Sequence, residues 1–216
     1  MFDDRNHAGQ VLAKKVAELN LKNPYILAVP RGGLAVASPV AEKLQCKMAV
    51  LIAKKVGHPL NPEVAIGAIM PDGSLIHDNQ YVSGIGVKQE NFDRLVAEAR
   101  KAFDERVKVY EAMIIKNHEV KDRDIIIVDD GIATGYTIMA AVKWVKKWNP
   151  ASVTIAVPVA PNDVTYRLRD QQVNIVCLLE PDVFTAVGSY YKDFRDMTDK
   201  EALEYHRLAP DSIIRL

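Results

Sequence analysis

The sequence predicts an α/β fold: a doubly wound, mainly parallel sheet of about five strands flanked by helices. Three observations point there. Short apolar runs alternate with helical segments along most of the 216 residues. The runs are continuously apolar rather than alternating, as in strands covered on both faces. Several of them end in glycine-rich or acidic turns that lead straight into a helix, as at P-R-G-G and D-D-G-I-A-T-G.

The elements follow in order. Residues 8–19 place Val11, Leu12, Val16 and Leu19 at helical spacing, and Asn23-Pro24 ends that helix. Y-I-L-A-V (25–29) reads as a buried strand before P-R-G-G. Leu34 to Leu44 reads as a helix interrupted early by Pro39, and M-A-V-L-I-A (48–53) as the next strand. Residues 54–86 are rich in Gly, Pro and polar residues, with short strand candidates V-A-I-G-A-I-M and S-L-I-H. They read as a mobile hairpin excursion outside the core. Phe92, Leu95, Val96, Ala99, Phe103, Val107, Tyr110 and Ile114 trace one face of the longest helix. Its charged face reads as solvated and carries no chemistry. Strands at 125–128, 152–159 and 173–178 and helices at 137–148 and 162–170 complete the pattern, with a last helix near 199–207. No repeat or linker composition divides the chain, so one domain over 1–216 is expected, with a tail or hood over 180–216.

Composition narrows the function. Basic and acidic residues balance at 28 each, so nothing suggests a nucleic-acid partner. No apolar run reaches the roughly 20 residues of a bilayer span. The charged start M-F-D-D-R-N-H has no apolar leader, so a cytoplasmic protein is expected. Cys46 and Cys177 form no ligand spacing and read as small buried hydrophobes.

The chemistry concentrates at I-I-I-V-D-D-G-I-A-T-G-Y-T (125–137). Asp129 and Asp130 lie where a buried strand ends, at the sheet edge where open α/β folds bind ligands. Two adjacent carboxylates repel, and hydroxyl donors, a divalent cation or a helix N-terminus could offset that cost. The turn into the helix at Thr137 exposes backbone N–H groups suited to a phosphate. Thr134 and Thr137 add hydroxyls, and Gly135 permits close approach. A diol- or metal-binding end thus adjoins a phosphate-binding end, and a sugar phosphate offers partners for both. A Walker A loop does not fit, because Gly131 and Gly135 are one residue too close and Tyr136 stands where lysine is required. The dinucleotide pattern G-x-G-x-x-G is absent from this stretch.

V-D-D-G-I-A-T-G-Y-T resembles the phosphoribosyl pyrophosphate (PRPP) motif of type I phosphoribosyltransferases in order, spacing and placement. The resemblance implies that Asp129 and Asp130 contact the ribose hydroxyls. Gly131, Ala133, Thr134, Gly135, Tyr136 and Thr137 would hold the 5′-phosphate. V-P-R-G-G (29–33) is similar to the family's pyrophosphate loop, which implies diphosphate contacts from Arg31, Gly32 and Gly33. A-K-K-V-G (53–57) falls where the family places a mobile loop, so Lys54 or Lys55 would reach the leaving group. The stretches F-D-D-R-N-H-A-G, N-P-E-V-A-I-G-A-I and F-T-A-V-G-S-Y-Y-K-D-F resemble an uncharacterised branch of these enzymes. In related enzymes a hood covers the base, which implies stacking by Phe184, Tyr190 or Tyr191. It also implies Mg²⁺ held indirectly by Asp129 and Asp130, with help from Asp193. Members acting on 6-oxopurines carry an aspartate where this chain has Ala133, so those bases are not assigned. The implied reaction is displacement of pyrophosphate from PRPP by a nucleobase, in a homodimer. Two alternatives stay open: a regulatory protein sensing PRPP or nucleotides on the same fold, and an enzyme with a non-nucleobase acceptor.

Overall fold

The structure, a computed structural model, describes residues 1–208. The part of the expected tail at 209–216 lies outside the described residues. The elements are α1 (Arg5–Ala17), β1 (Pro24–Ala28), α2 (Gly32–Leu44), β2 (Lys47–Val50), β3 (Lys54–His58), β4 (Asn61–Ile69), β5 (Leu75–His77), α3 (Asn79–Gly84), α4 (Gln89–Tyr110), β6 (Asp124–Val128), α5 (Tyr136–Lys146), β7 (Ser152–Val159), α6 (Asn162–Arg169), β8 (Asn174–Leu179) and α7 (Asp199–Leu208).

Five strands form a parallel sheet in the order β2-β1-β6-β7-β8. Ile26 pairs with Ile126, and Ile127 with Ile155. Successive side chains of a strand point to opposite faces, and both faces here are buried. Ile26, Ala28, Ile126 and Val128 pack with Leu12 and Val16 of α1, Leu34 and Val40 of α2 and Phe103 of α4. Tyr25, Leu27, Ile125 and Ile127 pack with Ile138, Val142 and Trp144 of α5 and Leu168 of α6. This two-sided covering is why the strands read as unbroken apolar runs.

Three details depart from the sequence reading. The segment from residue 54 is not an excursion outside the core. Strands β3, β4 and β5 form a second, antiparallel sheet, and Val56, Ile66, Ile69 and Met70 are almost wholly buried. Ala65 and Ala68 of V-A-I-G-A-I-M are buried with them. Helix α2 runs unbroken through Pro39. Helix α1 begins at Arg5, capped by the Asp4 carboxylate, which accepts the His7 N–H at 2.7 Å.

Cys46 is buried and its thiol is pushed up to about 12 by burial, while the partly buried Cys177 is pushed up to about 11 by the same cause. His206 of α7 is buried, with Nε2 2.9 Å from the Met48 carbonyl, which ties the last helix to β2.

Helices α1 and α2 touch through a glycine. A Cβ on Gly9 would lie 2.5 Å from the Val36 carbonyl oxygen and 3.0 Å from the Val36 Cα. Both obstacles are backbone, so the helices themselves would have to separate. Gly9→Ala is expected to destabilise the protein by about 1–3 kcal/mol, in the range for overpacked cores. Urea unfolding measures it, and an unchanged midpoint would contradict the packing described.

Candidate active site

The carboxyl ends of β1 and β6 lie side by side, because these strands pair in register through Ala28 and Val128. Their following turns therefore adjoin. Val29-Pro30-Arg31 leads into α2, and the Pro30–Arg31 peptide bond is cis. Asp129-Asp130-Gly131 begins the turn into α5. A cleft of about 620 Å³ opens at this edge, lined by Val29, Pro30, Lys54, Lys55, Asp129 and Thr137. The structure thus brings together the turn after β1, the lysines of β3, one of the paired carboxylates and the start of α5. Arg31 itself is exposed at the N-cap of α2.

The two carboxylates have different surroundings. Asp130 Oδ2 accepts a hydrogen bond from Arg5 Nε at 2.7 Å, and the two side chains are only 12% and 17% exposed in the order Arg5, Asp130. A Cβ on Gly32 would fall 1.8 Å from that Oδ2 and 2.7 Å from Arg5 Nε. The first glycine of P-R-G-G is therefore the space through which this ion pair passes. The Asp130 carbonyl accepts the Tyr191 hydroxyl at 2.5 Å. Asp129 instead faces the cleft, and its Oδ1 accepts the Asp130 N–H at 2.8 Å. Burial, and then the neighbouring Asp130 charge, hold the Asp129 carboxyl well above the usual carboxylate range.

The turn itself is built for close approach. Ile132 N–H donates to the Val159 carbonyl at 2.9 Å, which fastens the turn to the end of β7. Gly135 has φ +78° and forms the N-cap of α5. Met139 N–H closes the first helical bond, to the Gly135 carbonyl at 2.8 Å. The amides of Tyr136, Thr137 and Ile138 precede it and have no intrahelical acceptor. Ala133 and Thr134 are exposed. The Tyr136 side chain turns away into a separate groove of about 330 Å³ with Tyr81, Met139 and Lys143. Only its backbone belongs to the turn.

The resemblance implies a metal here. Among the described residues, no three His, Cys, Asp or Glu side chains gather into a metal cage. Mg²⁺ characteristically takes one or two carboxylates and completes its shell with water and substrate phosphates. Asp129 fits that pattern. The cleft's charges fit it as well: Lys54, Lys55 and Arg106 face Asp129, Glu105 and Asp199, so side chains alone leave a diphosphate's charge without an excess of cations to meet it.

The tail is placed differently from expectation. Tyr191 is not available to stack on a base. It is 5% exposed, packed against Phe2 and Phe194 at ring distances of 5.4 and 4.9 Å, with its hydroxyl committed to Asp130. Phe184 and Tyr190 stack on each other, 5.8 Å apart and 15° from parallel. Asp193 lies outside the cleft, 3.9 Å from Arg195 in a small crevice beside Arg5, and not with Asp129.

Sequence reasoning missed three contributors. Arg5 is 125 residues from its partner, and no local spacing connects them. Helix α4 is more than a solvated face, since Glu105 and Arg106 line the cleft. Asp199, at the start of α7, also lines it and accepts the Tyr110 hydroxyl at 2.7 Å. An amphipathic pattern shows which face is polar, not what that face meets.

The chain resembles known proteins over most of its length. Residues 4–195 match the model of the phosphoribosyl transferase domain. Two Mycobacterium tuberculosis proteins, from strains CDC 1551 and H37Rv, carry phosphoribosyl transferase as a provisional name. Each is 36% identical over 207 residues, which is 95% of this chain. The aligned region makes up 46% of those relatives, so the chain spans about half their length. The crystal structure of TT1426 from Thermus thermophilus is 36% identical, superposes with a TM-score of 0.82, and covers 95% of this chain and 97% of that one. On the domain match and these identities, the chain belongs to the phosphoribosyl transferase domain family.

Proposed function

We propose that the protein transfers the phosphoribosyl group of PRPP to a nucleobase nitrogen, with release of pyrophosphate. One observation carries the reading: a single cleft gathers the turn after β1, Lys54 and Lys55, Asp129 and the N-terminus of α5. Those groups match the substrate end for end. The α5 amides and the Thr134 and Thr137 hydroxyls suit the 5′-phosphate. Asp129 and Asp130 suit the ribose diol. Arg31, Lys54 and Lys55 suit the diphosphate.

The bond from ribose C1 to the diphosphate oxygen breaks as the base nitrogen bonds to C1. The transition state is oxocarbenium-like, as in glycosyl transfer generally. Protein groups therefore act by holding the ribose and offsetting the departing charge, and no covalent nucleophile is required. Asp129 would hold Mg²⁺, directly or through water. Mg²⁺, when bound, neutralises diphosphate charge and orients the leaving group. The β3–β4 hairpin, which begins at the two cleft lysines, would keep water from the sugar. Ala133 puts no carboxylate beside the base, which favours bases other than 6-oxopurines.

The test is calorimetric titration with PRPP and Mg²⁺, followed by a panel of bases with pyrophosphate detection. Binding with turnover of one base supports the transferase; binding without turnover across the panel would make the protein a sensor. Asp129→Asn is expected to lower kcat/KM for PRPP roughly ten- to a hundredfold, the worth of one charged hydrogen bond. Wild-type kinetics in that variant would contradict its role. Arg31→Ala is expected to weaken pyrophosphate binding by about tenfold or more. Undiminished pyrophosphate affinity would remove Arg31 from the leaving-group site.

A further inference from the structure

We infer that Arg5 is a positioning residue for the sugar: it fixes the Asp130 carboxylate through Oδ2, beside the turn that would hold the ribose diol. The inference rests on the reading of the cleft as a PRPP site. The geometry around the pair carries it. The pair is short and largely shielded, at 2.7 Å with side-chain exposures of 12% and 17%. Shielded charge pairs hold their geometry far better than exposed ones. Arg5 is also held without Asp130. Its guanidinium lies 3.9 Å over the centre of the Phe194 ring, and Nη1 donates to the Arg195 carbonyl at 2.9 Å. Such a planar group, stacked and bonded, can aim a single N–H at one carboxylate oxygen.

The Asp130 backbone is fixed separately, by the Tyr191 hydroxyl on its carbonyl. Oδ2 is the oxygen that Arg5 engages. Both holds come from one assembly of residues 2–5 with residues 190–195. Phe2 N–H donates to the Tyr190 carbonyl at 2.8 Å, and Lys192 N–H to the Phe2 carbonyl at 2.8 Å. Asp193 N–H donates to the Asp3 carbonyl at 2.9 Å. The first residues and the tail are thus joined as a short ladder that carries Arg5, Tyr191 and Phe194 to the PRPP turn. Gly32 leaves the room in which the ion pair lies.

The diol is held in substrate and transition state alike, so Arg5 should act on binding more than on the chemical step. Arg5→Met and Arg5→Lys are compared with wild type by titration with PRPP and, separately, with pyrophosphate, both with Mg²⁺. Arg5→Met is expected to weaken PRPP binding and raise its KM by about tenfold or more, with kcat changed less than about threefold. Pyrophosphate, which has no diol, should bind within about twofold of wild type. Arg5→Lys, which keeps charge but loses the fixed fork, should recover part of the loss.

Unaltered PRPP affinity in Arg5→Met would overturn the inference. Tighter binding would also overturn it, by making Arg5 a competitor for Asp130. So would an equal loss of PRPP and pyrophosphate, which a purely structural role produces. If Arg5→Met does not fold, Phe194→Leu loosens the stack and should give a smaller loss confined to PRPP; no such selectivity overturns the inference. A wild-type protein that binds pyrophosphate but not PRPP would instead remove the PRPP reading on which this one stands.

Discussion

Two like charges on consecutive residues, at the end of a strand buried on both faces, impose the constraint around which this protein is arranged. Asp129 and Asp130 follow four fully buried residues, Ile125 to Val128. Neither water nor distance relieves their repulsion, because the peptide link fixes them together. The protein gives them different partners. Asp130 turns toward Arg5, and Asp129 turns into the cleft. Asp130 is met from within the fold through Oδ2, and Asp129 lies at a place where a ligand can meet it. The glycine at position 32, the joining of residues 2–3 to 190–193 and the aromatic platform of Phe2, Tyr191 and Phe194 all support the Arg5–Asp130 pair.

Much of this is legible in the residues. Continuous apolar runs disclose the parallel sheet, since only strands covered on both sides dispense with polar positions. The same reading locates the cleft, because strand ends and helix starts are where the backbone leaves amides unsatisfied. What escapes is long-range. Arg5 meets Asp130 only once α1 has docked on α2 and β7. The strands of V-A-I-G-A-I-M and S-L-I-H are legible, but their burial in the β3–β4–β5 sheet is not, because the Gly, Pro and polar residues around them look like an exposed hairpin. Tyr191 looks like a base platform because an aromatic in a tail carries no label for burial. In α4, Glu105 and Arg106 sit within a regular charged face, and periodicity cannot separate a residue facing solvent from one facing a cleft.

The cleft is chemically uneven, and the unevenness gives it direction. At one end, backbone amides and threonine hydroxyls offer neutral donors, suited to a phosphate monoester. At the other, Lys54 and Lys55 supply positive charge, while Glu105 and Asp199 bring the side-chain charge back to balance. On the proposed reading, a sugar phosphate would enter with its phosphate at the amide end and its ribose toward Asp129 and Asp130. Orientation of this kind is the main contribution a protein can make to a displacement that needs no covalent intermediate.

That placement is open to direct view. A crystal structure of the protein with a bound nucleoside monophosphate is the most direct measurement. The account requires the 5′-phosphate on the amides of 133–137, the ribose hydroxyls on Asp129 and Asp130, and Arg5 still on Asp130. A nucleotide whose phosphate lies elsewhere, with the turn at 131–137 closed by the protein's own side chains, would contradict it.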